Sequence, residues 1–208
     1  MGPGDKLSSD PQTRRFLNDS LSHLKEYGVS IVFHPYAVHR KEQVVGYYDG
    51  ENKRLMVCKK NPKWLSIYVH EYCHFLQDIE NSSIYTRYNE LWLNPQEIAE
   101  GWIKGKKHSR KTVKKAYRLI RELELDCERR CLEIIRKYDL PIDKSKFIQE
   151  ANSILFQYFI EEQKRAKAKE LSNEQIEKMP KRLLKRYIDR PPEKALKEIE
   201  NDIKYTTK

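Results

Sequence analysis

His70-Glu71-Tyr72-Cys73-His74 sets two imidazoles four residues apart inside a largely apolar stretch, Trp64 to Ile79. On a helix, residues at that spacing share a face, with Cβ atoms roughly 5–6 Å apart. His70 and His74 can therefore offer ring nitrogens to one divalent cation. Glu71 stands about 100° further round the helix, beside such an ion, where it can take a proton from a water held there. Two histidines and a flanking glutamate in this order are the parts needed for zinc-assisted hydrolysis of a peptide bond.

A catalytic zinc site needs a third protein ligand and an open position. Val113, Tyr117, Ile120, Cys127, Cys131, Ile134 and Tyr138 form a stripe whose steps alternate between four and three. Glu124 fills the stripe position where Leu or Ile is expected. Burying an unpaired carboxylate is costly, and a cation facing the stripe removes that cost. The other way to satisfy Glu124 is an Arg or Lys on a neighbouring helix. Glu122 lies about 160° away on the wheel, toward solvent, and Glu128 is one turn on, as a supporting group or alternative ligand. Asp78 extends the His70 and His74 face, where it could orient an imidazole or stand as a solvated acid at the helix end.

Cysteine gives a rival arrangement. Cys127 and Cys131 are also four apart, so with His70 and His74 they could close a structural Cys2His2 site. The stripe already explains both as small buried hydrophobes. His34 and His39 flank Pro35 in an expected surface loop, and His108 is a weaker candidate for the third ligand.

The elements that must carry these groups follow from periodicity and turn chemistry. Residues 10–27 read as an amphipathic helix ended by Gly28, and Val29–Phe33 as a strand. Gln43–Asp49 and Arg54–Lys60 flank Asp49-Gly50 as a hairpin. Asn61-Pro62 starts the metal-site helix, roughly 62–80. Asn94-Pro95 with Glu97 opens another, ending near Gly101 or Gly105. Residues 110–138 form the longest helix, stopped at Leu140-Pro141, and 143–163 a further amphipathic one. The expected division is a domain over 1–163, with its core at 10–138 and a packing helix at 143–163, then a basic tail over 164–208 of short helices, loosely packed or flexible.

The chain of 208 residues has 41 Lys+Arg against 31 Asp+Glu, a net charge of +10, and a mean hydropathy of −0.86. No apolar run approaches the ~20 residues of a membrane span, and the polar N-terminus lacks the apolar core of a signal peptide. These features imply an intracellular protein, with Cys58, Cys73, Cys127 and Cys131 as reduced thiols. Seven of the twelve residues from Lys104 to Lys115 are basic and none is acidic. That run and the basic tail make nucleic acid an expected partner, against the plainer reading of a solvated lysine-rich surface.

With His70-Glu71-x-x-His74 after a hairpin and Glu124 on a later helix, residues 10–138 resemble the small gluzincin-type zinc metallopeptidases. The nearest likeness is to ImmA/IrrE-like and phage- or virus-encoded metallopeptidases. Around the third ligand these tend to carry a glutamate with small residues three and seven positions later. Glu124, Cys127 and Cys131 match, within Leu123-Glu124-Leu125-Asp126-Cys127-Glu128-Arg129-Arg130. The resemblance implies a zincin-like α+β fold and a zinc ion on His70, His74 and Glu124, with Glu71 as general base. The expected fold has a small antiparallel sheet, an active-site helix and a mostly helical C-terminal half. No DNA-binding helix-turn-helix stands out, and Tyr138, Tyr158 and His108 are the candidates for stabilising an oxyanion. The expected activity is cleavage of an intracellular protein, with substrate extended along Arg54–Lys60 if that strand is an edge. The alternatives are a nucleic-acid-associated binding protein with a structural zinc site, or a peptidase acting on DNA-bound proteins.

Overall fold

The computed structural model describes residues 8–39, 44–91, 93–165, 167 and 171–183. The first seven residues, Gln43 and the tail beyond Leu183 with Pro191-Pro192 lie outside them. The class is α+β and mostly helical. The elements are α1 (Pro11–Glu26), β1 (Ser30–His34), β2 (Gly46–Asp49), β3 (Arg54–Cys58), α2 (Trp64–Ile79), α3 (Ser83–Asn89), α4 (Pro95–Ile103), α5 (Arg110–Lys137), α6 (Lys144–Lys164) and α7 (Asn173–Glu177). They divide into two units, Met1–Glu80 with Arg129–Ile142, and Asn81–Glu128 with Asp143–Lys208.

In the first unit, Asp10 caps α1 by accepting the Thr13 N–H at 2.7 Å, and Pro11 takes the first helical position. Gly28, at φ +71, turns the chain so that the Val29 N–H reaches the Leu24 carbonyl at 2.9 Å. The sheet order is β1-β3-β2. β2 pairs antiparallel with β3, as the hairpin required, but β1 pairs parallel with it. The sheet is therefore mixed, a correction to the expected antiparallel one. It also makes the Arg54–Cys58 strand central, so the expected substrate edge cannot be there. The physical reason is burial: Leu55, Met56, Val57 and Cys58 are all fully buried, as suits a strand covered on both faces. The half-buried β1 and β2 take the edges. The hairpin loop runs over residues 50–53, held by the Asp49 carboxylate, which accepts from the Asn52 backbone and side chain at 2.9 and 2.8 Å.

α2 begins two residues later than the Asn-Pro signal implied. Asn61 Oδ1 accepts the Lys63 N–H at 2.9 Å, so the side chain caps the turn before the helix. Tyr68, Tyr72 and Phe75 form its inner face. Tyr68 shares a 2.8 Å hydrogen bond with Ser20 of α1, and the Tyr72 hydroxyl lies 2.8 Å from His23 Nδ1. Burial pushes both phenols well above their ordinary pKa, so they stay neutral. These anchors fix the rotation of α2.

The second unit packs α3, α4 and the N-terminal part of α5 around Tyr88, Ile98, Val113, Tyr117 and Ile120. A second cluster joins Leu125 to Leu155, Phe156 and Ile160 of α6. Arg121 and Glu162, 3% and 5% exposed, form an ion pair at 2.9 Å. Within the expected tail, the described residues 171–183 pack on α6. Gln149 donates to the carbonyls of Glu177 and Met179 at 2.7 and 2.9 Å, and Asn152 to those of Pro180 and Arg182 at 2.8 and 2.9 Å. Leu171 and Met179 are buried. Among the described residues, no helix is long and apolar enough to cross a membrane.

Candidate metal centre

Because the aromatic face of α2 is committed to the interior, His70 and His74 emerge together on a half-buried face. Their Nε2 atoms are 3.1 Å apart and their rings stand nearly perpendicular, at 87°. The Gln77 amide oxygen lies 2.9 Å from His74 Nδ1, and Gln77 is entirely buried. An Nδ1–H that donates to Gln77 leaves a lone pair on His74 Nε2. That lone pair faces His70 Nε2, so a proton or a cation must lie between the rings. With zinc–nitrogen bonds of about 2.0–2.1 Å, the separation corresponds to a ligand–metal–ligand angle of about 100°, within the range of a tetrahedral ion. The two imidazoles are spaced to share one metal ion.

Glu71 is 9% exposed and lies on the side of α2 toward β2. There the sheet and helix approach closely. A Cβ built on Gly46 would sit 3.4 Å from Glu71 Cγ and 3.2 Å from the Met56 carbonyl oxygen, and would collide with Ile67 Cγ2. Glycine at position 46 thus permits the close approach that places the Glu71 side chain against the edge strand. Asp78, on the same side, accepts from the Tyr48 hydroxyl at 2.7 Å. It ties α2 to β2, and Gln77 is the residue that engages the His74 ring. Sequence reasoning missed Gln77, although its spacing of three from His74 puts it on the same helical face.

Cys131, on the part of α5 that belongs to this unit, brings its thiol within 4.8 Å of a His70 ring nitrogen. All four cysteines are buried, and none is in a disulfide. Among the described residues of this unit, His70, His74 and Cys131 are members of possible metal-binding groups.

Glu124 belongs to the second unit and is half-buried. Its neighbours include Tyr88 and Tyr158, whose hydroxyl pKa values are pushed far up, first by burial and then by the Glu124 charge. Glu122 does not face open solvent as expected. Its side chain is 13% exposed and bridges Arg87 and Arg118 at 3.0 and 2.9 Å, which corrects a wheel argument blind to α3. Tyr138 is engaged elsewhere, donating to Asp19 at 2.9 Å, and His108 packs over Gly101 of α4. His34 and His39 pack edge to face, 4.7 Å between centroids, with both rings half-buried. No protein-family model matches this chain, and no curated protein or solved structure matches it either.

Proposed function

We propose that the protein is a zinc-dependent metallopeptidase with a zincin-like fold, hydrolysing peptide bonds in an intracellular protein. The observation that carries this reading is the His70–His74 pair, with ring nitrogens 3.1 Å apart, one tautomer set by buried Gln77, and a shielded glutamate next in sequence. Glu124 is the third ligand on the sequence argument, a carboxylate in an apolar helical stripe. Bound zinc supplies Lewis acidity toward a carbonyl oxygen and acidifies water. Glu71 takes the proton of the attacking water and returns it to the leaving amine. An extended substrate adds to the outer edge of β2, the strand beside Glu71, through backbone hydrogen bonds.

The test is zinc content together with hydrolysis of a labelled unfolded protein such as casein. The purified chain should hold one zinc, His74→Ala and Glu124→Ala should lose it, and Glu71→Gln should keep it while turnover disappears. Undiminished hydrolysis by Glu71→Gln, or a chain that takes up no zinc, overturns the reading.

The Cys131 thiol beside His70 favours a second reading, a structural zinc site with thiolate ligands. Cobalt substitution separates the two. Sulfur-to-metal charge-transfer absorption that vanishes in Cys131→Ser identifies the structural site, and its absence supports the peptidase.

A further inference from the structure

The N-terminal half of α5 breaks a local electrostatic rule. A helix N-terminus is the positive end of its dipole and is stabilised by acidic side chains. The first turn of this 28-residue helix has no acid, and Arg110, Lys111, Lys114 and Lys115 occupy its first two turns, all exposed. Lys104, Lys106 and Lys107 precede them in the α4–α5 connection, also exposed. Like charges three and four apart repel. Nothing in the helix requires the arrangement, because its packing is done by Val113, Ala116, Tyr117 and Ile120, all buried.

Tertiary structure adds to the patch what the sequence could not show. Arg165, at the end of α6, donates to the carbonyls of Trp102 and Lys106, both at 3.1 Å, and so holds the lysine-bearing connection in place. Its guanidinium lies 4.4 Å from the Trp102 ring centroid, and that of Arg110 lies 5.4 Å from it. The acids nearby are largely committed. Glu100 pairs with Lys104 at 3.0 Å, Glu122 with Arg87 and Arg118, and Glu162 with Arg121. Lys106, Lys107, Lys111, Lys114 and Lys115 form no ion pair among the described residues.

We propose that this face of the second unit, centred on Lys106, Lys107, Lys111, Lys114 and Lys115 with Trp102 and its two arginines, binds nucleic acid through its phosphates. Five separate cations on a rigid helix and a clamped loop suit a regularly spaced polyanion. The first eight residues of α5 advance about 12 Å, the rise of three to four nucleotides along one strand. A membrane surface fits less well, because Val113, Ala116, Tyr117 and Ile120, the apolar side chains that run between these lysines on α5, are buried and cannot insert. The Arg165 and Arg110 guanidinia held over Trp102 add two further cations beside the lysines.

The experiment uses the full chain and a fluorescein-labelled duplex of about 30 base pairs, with the matching single strand, read by fluorescence anisotropy. Neutralising five phosphates gives a log–log salt slope of about −4.5, a fall of about 500-fold in affinity between about 50 and 200 mM salt. The combined variant Lys107→Glu, Lys111→Glu, Lys114→Glu, Lys115→Glu should lose most of that slope and bind at least about 100-fold more weakly at low salt. It should also unfold at the same or a higher temperature than the natural chain, since its new acids suit the helix dipole. His74→Ala should bind as the natural chain does, which separates this proposal from the metallopeptidase reading. Unchanged affinity in the four-site variant overturns the proposal. So does displacement of the duplex by polyglutamate as readily as by unlabelled duplex, which marks a surface for acidic protein.

Discussion

Replacing Gly46 by Ala tests the geometry that brings β2 against α2. Gly46 has no positive φ, so alanine is conformationally allowed there. In open space the change would stabilise by about 0.4–1 kcal/mol, through lost freedom of the unfolded chain. Here the added methyl meets Ile67 Cγ2, with the Met56 carbonyl oxygen at 3.2 Å and Glu71 Cγ at 3.4 Å. Ordinary carbon contacts are about 3.5–4.0 Å, and Ile67 is branched at Cβ, so its methyl cannot swing away without changing rotamer. Overpacking of this kind costs about 1–3 kcal/mol. Set against the entropic gain, the net is about 1–2 kcal/mol of destabilisation, or about 2–8 °C in Tm for a chain of this size. The assay is thermal unfolding of four proteins: natural, Gly46→Ala, Ile67→Ala and the double variant. Truncating Ile67 makes room for the methyl, so the double variant should be more stable than the sum of the two losses, with a coupling of about 0.5–2 kcal/mol. An alanine at 46 that raises Tm, or a cycle that closes additively, refutes the close approach and with it the placement of Glu71.

Other consequences can be measured directly. Gln77→Leu should weaken zinc binding about 10–100-fold by removing the acceptor that holds His74, while Gln77→Glu should restore it, read by competition with a chromophoric chelator. Arg121→Met should cost about 3–5 kcal/mol in denaturant unfolding, because it leaves the Glu162 carboxylate buried without its partner. Adding Glu162→Leu should recover most of that loss. A small effect of Arg121→Met would show that solvent reaches the pair.

The helices were the most legible part of the chain. Asp10-Pro11, Asn94-Pro95 and Asp143 act as the caps their chemistry implies, because a cap is a local bond between a side chain and the next turn. The stripe of α5 reads correctly for the same reason: Val113, Tyr117, Ile120, Cys127, Cys131 and Ile134 are all buried. Sheet order was less legible, although the unbroken apolar run of β3 carried the signal for a central strand. Parallel pairing of β1 depends on where a loop returns, which no short-range rule dictates.

For the candidate site the division is similar. The sequence by itself put His70, His74 and Glu71 on one helix at a spacing that only a helix makes useful, because i, i+4 geometry is a property of the backbone. Tertiary structure decided what stands around them: Gln77 buried under His74, Asp78 drawn away to Tyr48, Cys131 beside His70 and Glu122 folded under two arginines. Each of these choices depends on how one element is rotated against another. That rotation is set by the sum of many small packing terms, from Tyr68 and Tyr72 against α1 to Gly46 against Ile67, and not by any pair of neighbours in the chain.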